Sequence, residues 1–481
     1  DMEFDISKRH CYFFNELSKI PHGSFNEAAA IAWVREFALN LGLEPISDEW
    51  GNTIVRKPGS PGHENDPWLM LQGHIDMVMS TMDGVEFDWD KDPLDLYVED
   101  GKYLRARGTT LGADDGVAIA YMMAILEDDT LVHPPLECVF TVAEETGLDG
   151  AVKMKPEDIL SRRVINIDGG DEYATMCCSS GGIKGKIRKT VHPVKAEGKA
   201  WRMELKGYIG GHSGVEIDKG FANPVTLCAR FLAMVQEKTD VVLCDYHGGY
   251  GDNVIPQQSA VIFRAADEKA MKEVYEQFEK EVLIEFKVTD PQGYPSLTET
   301  EYSTELSAEE TAQIIDILML APNGVYAMDD ELDTPITSNN VGKATIENDE
   351  LVVAYRIRSQ LEGGLDDMQR RINHVAALCG ASVELLGRYP GWNYERKSHL
   401  REIMNELTLE VYGKELIVEG CHAGTENGVW YALNPGTDIL AIGAIEEYIH
   451  TPYERLNLAA FDRMYDMLVK LIARISEDDH K

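Results

Sequence analysis

The sequence predicts an α/β fold: a layered domain built on a central mixed sheet and interrupted by an inserted α+β domain. Three observations lead to it. Short apolar runs followed by acidic loops and helical patterns recur between residues 68 and 168, the rhythm of strands and helices wound about one sheet. Past Gly181-Gly182 the texture changes to longer, half-exposed strand patterns at 183–210 and 259–290, alternating with helices. After Gly391 the first texture returns, with an apolar strand pattern over Ile439–Ile442 and a closing helix over Leu458–Ile475. A chain of 481 residues also exceeds what one hydrophobic core organises. The expected division is 1–184 and 387–481 for a first domain made of two segments, and 185–386 for an inserted lid.

Each element has its own signal. Helices are expected around Ser7–Ile20 and over Asn26–Leu41, the second with Ser24 and Glu27 as a capping-box pair and Gly42 as its C-terminal stop. Trp68–Gln72 reads as a buried strand that runs into His74 and Asp76. A helix over Val117–Leu126 follows Asp114-Asp115-Gly116, a strand over Glu137–Val142 runs into Glu144-Glu145, and a strand over Arg163–Ile167 runs into Asp168. In the insertion, Ser307 and Glu310 cap a helix carrying Ile314–Leu320. A strand over Leu351–Ile357 leads there to an amphipathic helix over Leu365–Leu378 that stops at Cys379-Gly380.

Charge narrows the partners. With 45 Lys+Arg against 83 Asp+Glu, the net charge of -38 argues against nucleic acid or an anionic membrane surface. The eight cysteines include no C-x-x-C pair, so a disulfide framework or zinc–thiolate cluster is not expected and a reducing compartment fits. No stretch reaches 18 consecutive apolar residues, and the N-terminal residues do not have the pattern of a secretion signal. A soluble, cytoplasmic protein is the expectation.

The chemistry-bearing residues fall at strand ends. A carboxylate two residues past a histidine on extended backbone lies on the same face, so Asp76 can hydrogen-bond the His74 imidazole from behind. Adjacent Glu144 and Glu145 diverge in an extended loop, which lets one bind metal while the other takes a proton from water. Gly112 and Gly116 flank Asp114-Asp115 and suggest a tight turn presenting a carboxylate that bridges two metals. With Asp168 and His450, these residues read as ligands of two divalent ions with carboxylates left over for chemistry. In the insertion, Gly210-Gly211-His212-Ser213-Gly214 leaves one imidazole prominent among small residues, where it could face an oxyanion. Asn253 and Arg358 are further polar candidates, the arginine fork matching a carboxylate. His422 sits in another glycine-bearing loop, HAGTENG.

In order along the chain, GHIDMV, GTTLGADDG, TVAEETG, INIDGG, GYIGGHSGVEI, RYPGW and IHTPYER together resemble the aminoacyl-histidine dipeptidase (PepD-like) branch of the di-zinc aminoacylase and glutamate-carboxypeptidase-like metallopeptidases. The resemblance spans nearly the whole chain. It implies that His74 and His450 are terminal metal ligands, Asp114 the bridge, and Glu145 and Asp168 the completing ligands. Asp76 would orient His74, and Glu144 would be the general base and then acid. His212, Asn253, Arg358, His422 and Gly424 would meet substrate. The implied cofactors are two divalent ions, Zn2+ with Mn2+ or Co2+ as alternatives, the substrates are dipeptides with free termini, Xaa-His among them, and a homodimer is favoured. Aminotripeptidase, N-acyl-amino-acid deacylase and carboxypeptidase activities stand as alternatives within the same chemistry, and a non-enzymatic peptide-binding protein as one outside it. Asp115, where the branch commonly has Asn, Gly169-Gly170, and the HAGTENG loop depart from the pattern and leave the substrate side-chain preference open.

Overall fold

A computed structural model describes residues 3–169 and 171–481. Their contacts gather into two compact units, one of residues 1–179, 392–420 and 424–481, the other of 180–391 and 421–423. The division falls at 179/180 and 391/392 because the strand Gly181–Thr190 runs unbroken through the 184/185 position and belongs to the second unit's sheet.

The first unit is built on a six-stranded mixed sheet. Its strands are β1 (Pro45–Ser47), β2 (Thr53–Lys57), β3 (Leu69–His74), β4 (Leu136–Thr141), β5 (Arg163–Asn166) and β6 (Asp438–Ala441). They lie in the order β1-β2-β4-β3-β5-β6. The pairs β1–β2 and β2–β4 are antiparallel, whereas β4–β3, β3–β5 and β5–β6 are parallel. Every residue of β3 and β4 is buried, as strands covered on both faces require. Four parallel strands therefore end on one edge of the sheet, and His74, the Glu144-Glu145 loop, Asp168 and the segment leading to His450 follow those ends.

Two helices contribute most of their apolar faces to the core shared with this sheet. Ala113–Glu127 is buried from Ala113 to Leu126, with apolar residues on all sides, and packs in one core with Leu458–Asp478, whose single apolar stripe includes Phe461, Met464, Leu468 and Leu471. Tyr121 stacks on Phe461, and its hydroxyl donates to the Phe461 carbonyl. Asp114 and Asp115 have non-helical backbone angles, so regular helix starts near the expected Val117.

The expected helix ends are met in part. Gly42 has φ of 75° just past Leu41, as its role in stopping the helix requires. The Ser24–Glu27 capping box does not form. Ser24 Oγ instead donates to Asp76 Oδ2 at 2.6 Å, and Glu27 Oε1 accepts from the Phe25 and Ala143 amides, so both side chains serve the loops around the strand ends. Ser307 does cap Ala308–Leu320, accepting from the Glu310 amide, while the Glu310 carboxylate turns to His192.

The second unit carries a nine-stranded sheet whose recorded pairings are all antiparallel. Helices Pro224–Gln236, Glu268–Glu285, Ala308–Leu320 and Glu362–Leu378 share its core. Central strands Thr334–Glu347 and Glu350–Ser359 bring Ser338 and Arg358 into register as partners.

Candidate active site

The cup at the ends of β3 to β6 is assembled by backbone capture. The Asp76 carboxylate accepts from the amides of Glu144 (3.0 Å, Oδ1) and Glu145 (3.2 Å, Oδ2) as well as from Ser24 Oγ. Asp76 also meets His74 Nδ1 through its own carbonyl (2.9 Å) and its Oδ1 (3.2 Å). Nδ1 thus turns to Asp76, and Nε2 faces the cup. Asp76 therefore orients the imidazole and fixes the acidic pair at once.

Around His74 Nε2 lie Asp114 Oδ1 at 2.9 Å, Glu144 Oε2 and Asp168 Oδ1 each at 3.5 Å, and Glu145 Oε1 at 3.7 Å. His450 Nε2 lies 2.8 Å from Asp114 Oδ2 and 3.0 Å from Glu145. One oxygen of Asp114 thus faces each imidazole. Two groups result, His74 with Glu144 and Asp168, and His74 with Asp114 and Glu145, each with donor atoms within 4.8 Å of one another.

Crowding governs the charges. Burial pushes Glu144 well above the ordinary carboxylate range, and raises Glu145 and Asp168 to about 7. Burial opposes ionisation of Asp114 too, but hydrogen bonds from His450 and His74 outweigh it and hold that carboxyl well below its usual value. His450, bonded to Asp114 and Glu145, is raised to about 10. For His74, burial acts downward, yet Asp168 and Glu144 reverse the balance and raise it. Among the described residues, the ion-pair partners of these four carboxylates are the two imidazoles. A buried set of imidazole nitrogens and carboxylate oxygens with so much like charge fits divalent cations of the zinc type.

Asp115 points elsewhere. Its Oδ2 accepts from the His74 amide at 3.1 Å, which ties the start of the buried helix to β3, and burial pushes its carboxyl well above the usual range. Gly112 meets the demand for a tight turn with φ of 76°. Of the two glycines in INIDGG, Gly169 donates its amide to the Ile442 carbonyl, and Gly170 lies outside the described residues.

Three supporting residues, Glu454, Gln72 and Glu426, escaped the sequence reading. Glu454 is buried and accepts from the amides of Leu111, Gly112 and Asp114 at 2.9, 2.8 and 3.1 Å, clamping the turn that presents Asp114. Behind β3, Gln72 donates to Glu426 and accepts from Asn166 and Trp430, joining β3, β5 and the helix Glu426–Leu433. Glu454 stands inside IHTPYER and Glu426 inside HAGTENG, so the motifs flagged their neighbourhoods but not their tasks.

The second unit brings His212, Arg358 and His422 into one neighbourhood. Nδ1 of His212 accepts from the Gly214 and Val215 amides at 2.9 and 3.2 Å, which places its proton on Nε2. Arg358 is buried and donates to Ser213 Oγ and the Tyr389 hydroxyl, both neutral groups. A side chain on Gly214 would strike the His422 carbonyl and Arg358, so only glycine permits this approach. His422 shares a hydrogen bond of 2.7 Å with Ser338. Desolvation, then the Arg358 charge, pushes His212 down to about 4 and His422 to about 3. The backbone of Asn253, through its carbonyl, holds the Ser213 amide, while its side chain is exposed. Gly424 belongs to the first unit.

Comparison with known proteins places the chain. Residues 70–474 match Peptidase family M20/M25/M40. The chain is 32% identical over 470 residues to the cytosol non-specific dipeptidase of Escherichia coli (strain K12), covering 96% of each. The aminoacylhistidine dipeptidase of Vibrio alginolyticus superposes with a TM-score of 0.88 at 28% identity, over 97% of each chain. Aminopeptidase PepT from Bacillus cereus shares the fold at a TM-score of 0.55 and 16% identity, covering 98% of this chain and all of that one. The chain belongs to Peptidase family M20/M25/M40, as the ordered motifs led us to expect.

Two outcomes follow from the geometry. Glu454→Ala leaves three amides of the Asp114 turn without an acceptor, so divalent-metal affinity should fall by about 10–100-fold, measured by equilibrium dialysis. Unchanged affinity would contradict the clamp. His212 and His422 should both stay neutral from pH 8 to 5, so their ring NMR signals should not titrate there. Because their folded values lie below the ordinary 6.5, the unfolded chain takes protons that the folded one refuses, and these two residues cost stability as pH falls from 6.5 toward 4. An inflection near pH 6.5 in either signal would overturn this.

Proposed function

We propose that this peptidase hydrolyses dipeptides with free amino and carboxyl termini, Xaa-His dipeptides among them, at a centre holding two divalent cations, Zn2+ in the first instance. The observation that carries the proposal is Asp114, with one carboxylate oxygen turned to each of two imidazoles beside a raised Glu144. The names of the Escherichia coli and Vibrio alginolyticus relatives supply the substrate class.

His74, Asp114 and Asp168 would hold one cation, and His450, Asp114 and Glu145 the other. Bound there, the pair would polarise the scissile carbonyl and ease deprotonation of water. Glu144 accepts the proton of the attacking water. Its raised affinity for protons, which comes from burial, suits that step and the later return of the proton to the leaving amine. Asp76 keeps the His74 ring and the Glu144-Glu145 backbone in place throughout. The neutral His212, with its proton on Nε2, is suited to donate to the developing oxyanion. Arg358, whose recorded partners are hydroxyls, would receive the C-terminal carboxylate as a two-pronged donor. The inserted unit would serve as the lid that delivers these groups, and the chain is read as a cytoplasmic homodimer. Among the described residues no helix is long and apolar enough to cross a membrane.

Separating the acidic pair tests the assignment. Glu144→Gln removes the base but not a ligand, so kcat should fall by about 100-fold or more with metal content near wild type. Glu145→Gln should lose metal first. Equal metal loss in both, with normal turnover in Glu144→Gln, would reverse the roles. With metal-reconstituted wild type, free dipeptides should be cleaved and N-blocked ones spared. Preference for N-blocked substrates would favour the deacylase or carboxypeptidase alternative.

A further inference from the structure

A second cluster of metal-type donors lies on the first unit away from the strand-end cup. His63 Nδ1 stands 2.7 Å from Asp66 Oδ2, and His480 Nε2 stands 2.7 Å from Asp66 Oδ1. The two imidazole rings face each other with centroids 4.5 Å apart and planes inclined by 31°. Donor atoms of all three residues lie within 4.8 Å of one another. Two imidazoles converge on the two oxygens of one carboxylate.

We propose that His63, Asp66 and His480 form a single-ion metal site that takes Zn2+ or a similar borderline divalent cation. The donor set of two nitrogens and one carboxylate oxygen is one that zinc accepts with water in the fourth position. Zinc bonds of 2.0–2.2 Å set tetrahedral donors about 3.3–3.5 Å apart, so the 2.7 Å hydrogen-bonded contacts need to open by about 0.6–0.8 Å. His480 has that latitude, since 46% of its side chain is exposed, and the same exposure leaves the fourth position to solvent. On binding, the protons on the ring nitrogens that face Asp66 pass to solvent or to the other nitrogen of each ring, and one cation takes their place.

The location gives the site a task. Asp66 lies three residues before β3, and His480 just beyond the helix Leu458–Asp478. Arg163 already joins these segments, pairing with Asp479 through both guanidinium nitrogens at 2.8 Å and donating to the Pro67 carbonyl. A cation on His63, Asp66 and His480 would cross-link the end of the closing helix to the segment entering β3. It would sit beyond the opposite end of that strand from His74, and the strand itself spans about 17 Å at about 3.3 Å per residue. The proposal therefore stands apart from the reading of the strand-end cup.

Equilibrium dialysis of the whole chain against Zn2+, with bound metal counted by elemental analysis, tests it. Wild type should bind one equivalent more than His480→Ala or His63→Ala, and Zn2+ should raise the Tm of wild type above that of either variant. Dipeptide hydrolysis by His480→Ala should be unchanged. Asp66→Asn, which keeps the shape but weakens the donor, should lower affinity for that equivalent at least tenfold. Equal zinc content in wild type and both histidine variants, or an extra equivalent that persists in all three variants, would overturn the proposal.

Discussion

The structure depends on holding four carboxylates together in a buried space. Asp114, Glu144, Glu145 and Asp168 would repel one another if all were ionised, and two imidazoles cannot balance them. The mutual repulsion of the carboxylates opposes that assembly, so the surrounding fold imposes it. Four parallel strands end on one edge, and the loops after them carry Glu144, Glu145 and Asp168, while Asp114 comes from the turn that opens the buried helix. Asp76 then fixes the Glu144-Glu145 amides and Glu454 the Asp114 turn. Gln72 and Glu426 brace the strand behind His74. The resulting concentration of oxygen and nitrogen donors would suit the cup to cations.

The same residue type is tuned in opposite directions in the two units. His450, bonded to Asp114 and Glu145, is raised to about 10, whereas His422, desolvated near Arg358, is lowered to about 3. Each starts from the same ordinary value near 6.5. Acidic neighbours therefore hold histidine charged in one unit, whereas desolvation, reinforced by a buried arginine, keeps the histidines neutral in the other. Neutral imidazoles beside a guanidinium suit recognition of an uncharged carbonyl and an anionic terminus, without a proton being lost or gained near neutrality.

Much of this was legible in the sequence because it is local. The spacing in GHIDMV places Asp76 behind His74, apolar runs mark the strands, and the all-apolar run after Asp115 marks a buried helix. The ordered motifs identified the family. What sequence did not reveal depends on contacts across the chain. Ser24 and Glu27 have capping-box spacing, yet their partners Asp76 and Ala143 lie 52 and 116 residues away and win the competition. Glu454 reaches back more than 300 residues to the Asp114 turn. Asp115 reads as one more negative charge, but its bond to the His74 amide and its burial turn it into a structural group. Local periodicity has no means of signalling such pairings.

The central proposal is that Asp114 would be shared by two cations. Metal content of Asp114→Ala, measured by elemental analysis after dialysis against limiting Zn2+, tests it most directly, with Asp168→Ala as the control for loss of a single ligand. The account predicts that Asp114→Ala loses both strand-end ions and turnover together, whereas Asp168→Ala weakens one ion in preference to the other. Full metal content with normal hydrolysis in Asp114→Ala would contradict the bridge and the two-cation centre built on it.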